Sequence, residues 1–391
     1  MPSKACEADS AAGAASYTDS AAGAASYTIP DMQALHIHAG PKAQAHIREH
    51  GLKPEHVGVI PAAAGGPKGL ILGPLDRFIF GQWLPQSGRP VHLVGASIGA
   101  WRMATACLNE PVAAFERLEH DYIHQHYELP PGQKRVTAEQ VSREFGNSLQ
   151  AFYGGRMAEV LQHPRYRLHV VTSRGRHVLQ REHPLGTPLG YAGAYLSNAV
   201  ARPALGAWLE RVVFSSHGAL PFGTADFRTR QHRLTEANFM PAVQASCSIP
   251  FVLQAVHDIP GAAPGAYWDG GITDYHLHLD WQTPTDRPEE RIVLYPHFQR
   301  QVVPGWLDKA LKWRHRPSAS LDHTVVLAPN PEWVKTLPNA KLPDRKDFMT
   351  YGQDLAARVK VWSAAASAAQ QLADEFGAWV ERPDLARLRP L

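Results

Sequence analysis

Val57-Gly-Val-Ile60 runs directly into Pro61-Ala-Ala-Ala-Gly-Gly-Pro-Lys-Gly69, and Val91-His-Leu-Val94 runs directly into Gly95-Ala-Ser-Ile-Gly99. Both apolar runs are short, rich in β-branched residues and soon followed by glycine, as buried strands are. After the first, Leu70, Ile71, Leu75, Phe78 and Ile79 recur at helical spacing; after the second, a helical stretch continues to Leu108. Strand, glycine loop, helix, strand, sharp turn, helix is the pattern of a parallel α/β sheet. Residues 91–108 are also long enough for a membrane span, but His92, Gly95, Gly99 and Arg102 inside the run fit the strand-turn-helix reading better.

Working outward, further strands are expected at residues 167–172, 212–216, 267–268 and 292–295, and a mainly helical stretch at 110–165. Leu355, Val359, Trp362, Ala366, Ala369, Leu372, Phe376 and Trp379 step by three or four, which predicts one long amphipathic helix packed on the main domain. Residues 306–316 are basic and aromatic, with Trp306, Leu307, Ala310 and Trp313 on one helical face, and suggest a helix docking at a membrane surface. Residues 9–18 are repeated letter for letter at 19–28; Ala, Ser and Gly without large aliphatic residues cannot offset ordering entropy, so 1–30 reads as a disordered tail, not a secretion signal.

The 391 residues are 44% apolar and 19% charged, enough to bury a sizeable core. Lys and Arg number 39 against 36 Asp and Glu, too even for a protein whose task is to grip nucleic acid. Cys6, Cys107 and Cys247 form neither a disulfide framework nor a zinc knuckle, and with no apolar terminal span the expected home is the cytoplasm.

Gly95-Ala-Ser-Ile-Gly99 fits the G-x-S-x-G nucleophile elbow in its strand-to-helix context. A serine in such a turn stands clear of the sheet, and the following helix aims N–H groups at developing negative charge. In the upstream loop the consecutive Gly65 and Gly66 free N–H groups for a small anion, a phosphate or the oxyanion of acyl transfer; Pro67 has none to give. Lys68 adds positive potential or anchors the loop. Gly69 stands where a P-loop needs Ser or Thr, and the order of glycines is wrong for a dinucleotide fingerprint. Downstream, Asp269 closes a short apolar strand before Gly270-Gly271, and Ala245-Ser-Cys-Ser-Ile-Pro250 has the small residues of a tightly packed site.

The ordered set Gly65-Gly-Pro-Lys-Gly69, Gly95-Ala-Ser-Ile-Gly-Ala100, Ala245-Ser-Cys-Ser-Ile-Pro250 and Asp269-Gly-Gly271 resembles the patatin-like phospholipase family. The resemblance implies a three-layer α/β fold with a mainly parallel central sheet and flanking helices. It implies a Ser–Asp dyad, Ser97 as nucleophile and Asp269 as general base, with Gly65, Gly66, Lys68 and Gly69 in the oxyanion and substrate-binding loop. The implied activity is hydrolysis of lipid-like esters through an acyl-enzyme. No cofactor or metal is expected; the expected partners are a lipid or acyl-ester substrate and a membrane surface, not nucleic acid. The expected organisation is a tail at 1–30, a catalytic domain at 31–300 with a helical cap or insertion at 110–165, and a helical extension at 301–391. Two departures stand out: Ala63 and Ala64 replace an Asp and a Gly common in the family's loop, and Trp101-Arg102 follow the elbow where small residues are usual.

Other readings compete. A Ser–His–Asp hydrolase would draw on His276, His278, His297 or His323, in the right chain order after Ser97. Against it, the paired glycines lie close upstream of the elbow and no late histidine loop stands out. His276-Leu-His-Leu-Asp280 resembles the start of a metal motif, and alternate residues on a strand would share a face, but Trp281 stands where its final His belongs. His36 and His38 make a weaker pair of the same kind, and Cys247 suits a buried small residue better than a nucleophile. From another class, a membrane-binding protein without catalysis would rest on residues 306–316 alone.

Overall fold

The computed structural model describes residues 32–129, 132–133, 136–282 and 292–391. The expected tail at 1–30 lies outside the described residues. Strands run, in chain order, β1 Leu35–Ala39, β2 Val57–Ala62, β3 Val91–Ala96, β4 Tyr166–Gly175, β5 Leu209–Ser215, β6 Thr229–Arg233, β7 Val256–His257, β8 Ala266–Asp269, β9 Ile292–Pro296, β10 Thr324–Pro329 and β11 Leu388–Pro390. Their order across the sheet is β11-β1-β10-β9-β2-β3-β4-β5-β6, with β8 paired to β4 and β7 to β8. From β10 to β4 every neighbour is parallel. The helices are α1 Pro41–His50, α2 Gly73–Phe78, α3 Ile98–Ala106, α4 Pro111–His124, α5 Ala138–Tyr153, α6 Met157–Leu161, α7 Gly186–Val200, α8 Glu236–Cys247, α9 Gly271–Asp274, α10 Pro331–Val334, α11 Lys346–Tyr351, α12 Leu355–Ala368 and α13 Gln370–Glu381. The result is a three-layer α/β fold with a mostly parallel central sheet.

Strand alternation explains why the central strands read as unbroken apolar runs. Ile60, Leu93, Val170, Val212, Phe214 and Leu294 enter one core, beneath the helices. Their neighbours Val59, Val94, Val171, Val213 and Val293 enter a second core on the opposite face, with Tyr275, Leu277 and Val303. Both faces are buried, so both sets of side chains are apolar.

Three expectations are corrected. Residues 301–391 are not a helical extension: they supply β10, which lies inside the sheet between β1 and β9, and β11 at its edge. The long C-terminal helix is two, α12 and α13, parted at Ala369, because their apolar faces have different targets. Trp362 of α12 stacks near Tyr122 and Phe348, whereas Phe376 of α13 meets Phe78 and Trp83. Residues 306–316 form two short 3-10 turns, Trp306–Asp308 and Lys312–His315, instead of a helix. The buried Asp308 carboxylate gathers Asn198, Arg202 and Arg314, at 2.9, 2.9 and 2.8 Å, and so pins the chain between the turns.

Candidate active site

Strand register brings the elbow and Asp269 together. β3 pairs with one edge of β4 as far as Ala96 opposite Val171, then leaves the sheet at Ser97. β8 continues along β4, antiparallel, with Asp269 opposite Thr172. The end of one strand therefore abuts the end of the other, and Ser97 Oγ donates to Asp269 Oδ2 at 2.7 Å across 172 residues of chain. Ser97 sits at φ 58°, ψ −130°, a conformation costly for a side-chain-bearing residue, about 1–3 kcal/mol. The contacts that hold it are specific. Its N–H donates to Ser246 Oγ at 2.9 Å, and Ser246 Oγ donates in turn to the Val171 carbonyl at 2.7 Å. Gly99 lets α3 lie directly on β2: a Cβ there would collide with the Ala62 carbonyl.

Asp269 is equally constrained. Its Oδ1 accepts from the Gly271 N–H at 2.7 Å, its own N–H donates to the Ser248 carbonyl, and Ser173 Oγ donates to its carbonyl. The turn that carries it is clamped by Asp274, whose carboxylate receives two bonds, 2.7 and 2.6 Å, from the fully buried Arg211. Burial raises the Asp269 carboxyl above its ordinary value; Arg345, the Ser97 and Gly271 hydrogen bonds and Lys309 pull against that rise. A carboxylate so placed is a stronger base than one in water, aimed at a serine hydroxyl.

Gly65 and Gly66 lie beside this pair. Gly66 has φ 58°, a left-handed conformation natural to glycine, and opens the 3-10 helix Gly66–Leu72. Neither glycine N–H donates to a backbone carbonyl among the described residues, whereas the Ala64 N–H is taken by the Tyr275 carbonyl at 3.0 Å. Gly69 lies inside the 3-10 helix and packs against Ile98 and Arg102. Lys68 Nζ stands 5.1 Å from the centre of the Phe298 ring, and burial lowers its pKa. Arg102 after the elbow is buried and forms a two-point ion pair with Asp76, 2.7 and 2.8 Å. A cavity of about 660 Å³ opens from Ser97 and Gly66, walled by Trp101, Phe145, Ile249 and Leu253 among others. Cys247 also lines it, with burial pushing its thiol well above the usual range.

The histidine candidates are engaged elsewhere. His276 Nδ1 meets the Gln301 carbonyl and the Val303 N–H, and burial drives its pKa well below the ordinary value. His278 Nε2 bonds Ser318 Oγ, and His297 Nδ1 the Gln299 backbone. His323 precedes β10, at the opposite end of the parallel strands from Ser97. His276 and His278 share no strand face, because Leu277 turns the chain at φ 46°. Among the described residues no group of three His, Cys, Asp or Glu side chains converges on a metal site.

A family model described as patatin-like phospholipase matches residues 65–276, just over half of the chain. The chain belongs to that family. As a patatin-like phospholipase it is a lipid acyl hydrolase. The chain is similar to VipD from Legionella pneumophila, at 14% identity over 82% of this chain and 67% of that one, with a TM-score of 0.38. It is similar to human GIVD cytosolic phospholipase A2, at 10% identity over 92% of this chain and 66% of that one, with a TM-score of 0.36. It thus spans about two thirds of the length of each. A comparison with curated proteins finds no match. Among the described residues no helix is long and apolar enough to cross a membrane.

Sequence reasoning missed several neighbours of this patatin-like site. Ser246 was visible only as one small residue among several, with nothing to single out its bond to Ser97. Lys309 and Arg345 have charges that reach Asp269. Lys309 lies in the basic, aromatic stretch 306–316, read for a membrane surface and not for this site, and Arg345 lies in no motif.

Proposed function

We propose that this patatin-like hydrolase cleaves long-chain acyl esters through a Ser97–Asp269 dyad. The observation that carries the reading is the 2.7 Å hydrogen bond from the strained serine to the buried carboxylate. Ser97 Oγ attacks the ester carbonyl carbon while its proton passes to Asp269 Oδ2. The resulting oxyanion accepts from the Gly65 and Gly66 N–H groups and from the Ile98 N–H, one of the free donors that open α3. Collapse expels the alcohol, which takes the proton from Asp269 and leaves an acyl-Ser97 ester. Water then attacks that ester, giving its proton to Asp269; the second collapse releases the fatty acid and returns the proton to Ser97. Lys68 contributes positive potential beside the loop, and Gly69 serves it by close packing. The apolar cavity walls accommodate the acyl chain and keep water from the carboxylate.

The same reading extends to a membrane surface, supported by an apolar face. Leu185, Leu189, Leu196 and Val200, on or beside α7, are 65–86% exposed and share one side at helical spacing. Tyr191 of the same helix contacts Phe251, an exposed residue that also lines the cavity. At the other end, Arg314 donates to the Ala199 carbonyl, joining α7 to the turn that bears the exposed Trp313 and Lys312. An apolar strip bordered by Trp and Lys suits insertion among lipid headgroups.

Turnover of a long-chain ester by wild type, Ser97→Ala, Asp269→Asn, His276→Ala and His278→Ala tests the chemistry. The expected result is loss in the first two variants of about 10³-fold or more, with both histidine variants active. Activity that survives Asp269→Asn but disappears with one histidine overturns the dyad.

A further inference from the structure

We propose that Arg358 binds a carboxylate at the far end of the acyl chain, so that the enzyme takes esters of ω-carboxylated long-chain acids. This rests on the Ser97–Asp269 reading and adds the chemistry of the acyl group to it. Arg358 lies in α12, beyond the segment matched to the family, residues 65–276.

Three Lys or Arg residues are buried among the described residues: Arg102, Arg211 and Arg358, at 3%, 0% and 2% exposure. Two of them are neutralised. Arg102 has its two bonds to Asp76, and Arg211 is held by Asp274 and Asp226. Arg358 has no carboxylate at ion-pair distance among the described residues. The carboxylate whose field reaches it, Asp347, is engaged by Lys341 at 2.6 Å and by Trp362 Nε1 at 2.9 Å. Burial lowers the pKa of Arg358, whereas at Arg211 the two aspartates outweigh burial and raise it.

The contacts that hold Arg358 leave its charge unanswered. One Nη donates to the Gln125 carbonyl, the guanidinium carbon lies 4.6 Å from the centre of the Phe348 ring and 5.1 Å from that of Trp362, and the buried Nε has no partner. Unlike the other two arginines, Arg358 lines the cavity that opens from Ser97 and Gly66, together with Val141, Phe145 and Leu253. A plain hydrocarbon end there would leave the cation enclosed among apolar groups with no negative partner, which is costly. A carboxylate supplies the missing charge and matches the planar guanidinium, which folding has already taken out of water. Of the two sides of an ester it is the acyl chain that leaves the lipid layer for the apolar cavity. An enclosed arginine in that wall therefore reads an anion on the chain, while a headgroup stays hydrated outside.

The test compares kcat/KM for the mono-p-nitrophenyl esters of octanedioic, dodecanedioic and hexadecanedioic acids, each against the ester of the alkanoic acid of the same length. Wild type is expected to favour the carboxylated chain by about tenfold or more at one length and less at the others, as a fixed separation of Ser97 and Arg358 requires. Arg358→Gln should remove most of that preference through KM, and Arg358→Lys should keep a weaker one. The monomethyl ester of the best-cleaved diacid should raise the melting temperature of Ser97→Ala but not that of the double variant Ser97→Ala, Arg358→Gln. No preference at any length in wild type overturns the proposal. So does a preference unchanged in Arg358→Gln, or one lost only with Arg345→Gln, the exposed cation of the same lining. If Arg358→Gln does not fold, the wild-type length profile and the melting shift of Ser97→Ala decide alone. Inhibition by free dodecanoate without any preference among the esters also overturns it, since the arginine then holds a released fatty acid. Hydrolysis that persists in Ser97→Ala would instead sink the nucleophile assignment; the melting shift is read without turnover, and so the two failures are distinguishable.

Discussion

Asp269 carries a conflict between stability and chemistry. Its folded pKa is raised, so between the unfolded value near 3.8 and the folded value the native state holds the proton more tightly. Stability from this group is therefore full below the unfolded pKa and is lost as pH rises through the folded one. Asp269→Asn removes the buried charge: it should abolish turnover yet melt at or above the wild-type temperature near neutral pH, with the gain vanishing on acidification to about pH 4. With Asp269 as the proposed general base the ionised carboxylate is the active form, so the acid limb of kcat/KM should lie above the ordinary carboxylate range. Ser246 acts one bond further out, holding the Ser97 N–H and the Val171 carbonyl. Ser246→Ala leaves both without that partner in a buried site; a loss of about 1–3 kcal/mol by denaturant titration is expected, with kcat falling as the elbow loosens.

The elements reach the site by close approach, and glycine permits it. Gly99→Ala forces α3 off the Ala62 carbonyl; we expect destabilisation of about 1–3 kcal/mol or more, with activity lost through displacement of Ser97, measurable by thermal melting and turnover. The elbow was legible in the sequence as G-x-S-x-G between a strand and a helix, whereas the contact of Gly99 with the Ala62 carbonyl was not. Legible too were β2, β3, β4, β5, β8 and β9, whose apolar runs are continuous since both faces are buried. β6 was not, because its residues Thr229–Arg233 are polar and largely exposed at the sheet edge. β10, though apolar, lies among the short turns of the C-terminal third, and only long-range pairing with β1 and β9 assigns it to the sheet. The helix expected at residues 306–316 failed for a related reason. Periodicity registers apolar spacing, whereas the conformation is set by Asp308, whose buried carboxylate gathers partners from outside the segment.

Over the whole molecule, the exposed Phe251 lines the cavity and reaches α7 through the buried Tyr191, and the proposed lipid contact is the exposed apolar strip on the outer side of the same helix. The double variant Leu189→Glu, Leu196→Glu should lower affinity for vesicles of mixed zwitterionic and anionic lipid by about tenfold in cosedimentation, while a short water-soluble ester is turned over as by wild type. Equal vesicle binding by the variant would remove α7 from the contact. The chemical centre is tested most directly by a fluorophosphonate probe followed by peptide mass spectrometry. One phosphonylated residue is expected, Ser97, with no labelling of Ser97→Ala and slow labelling of Asp269→Asn. Labelling at another serine, or labelling of Ser97 at full rate without the Asp269 carboxylate, would contradict the Ser97–Asp269 dyad.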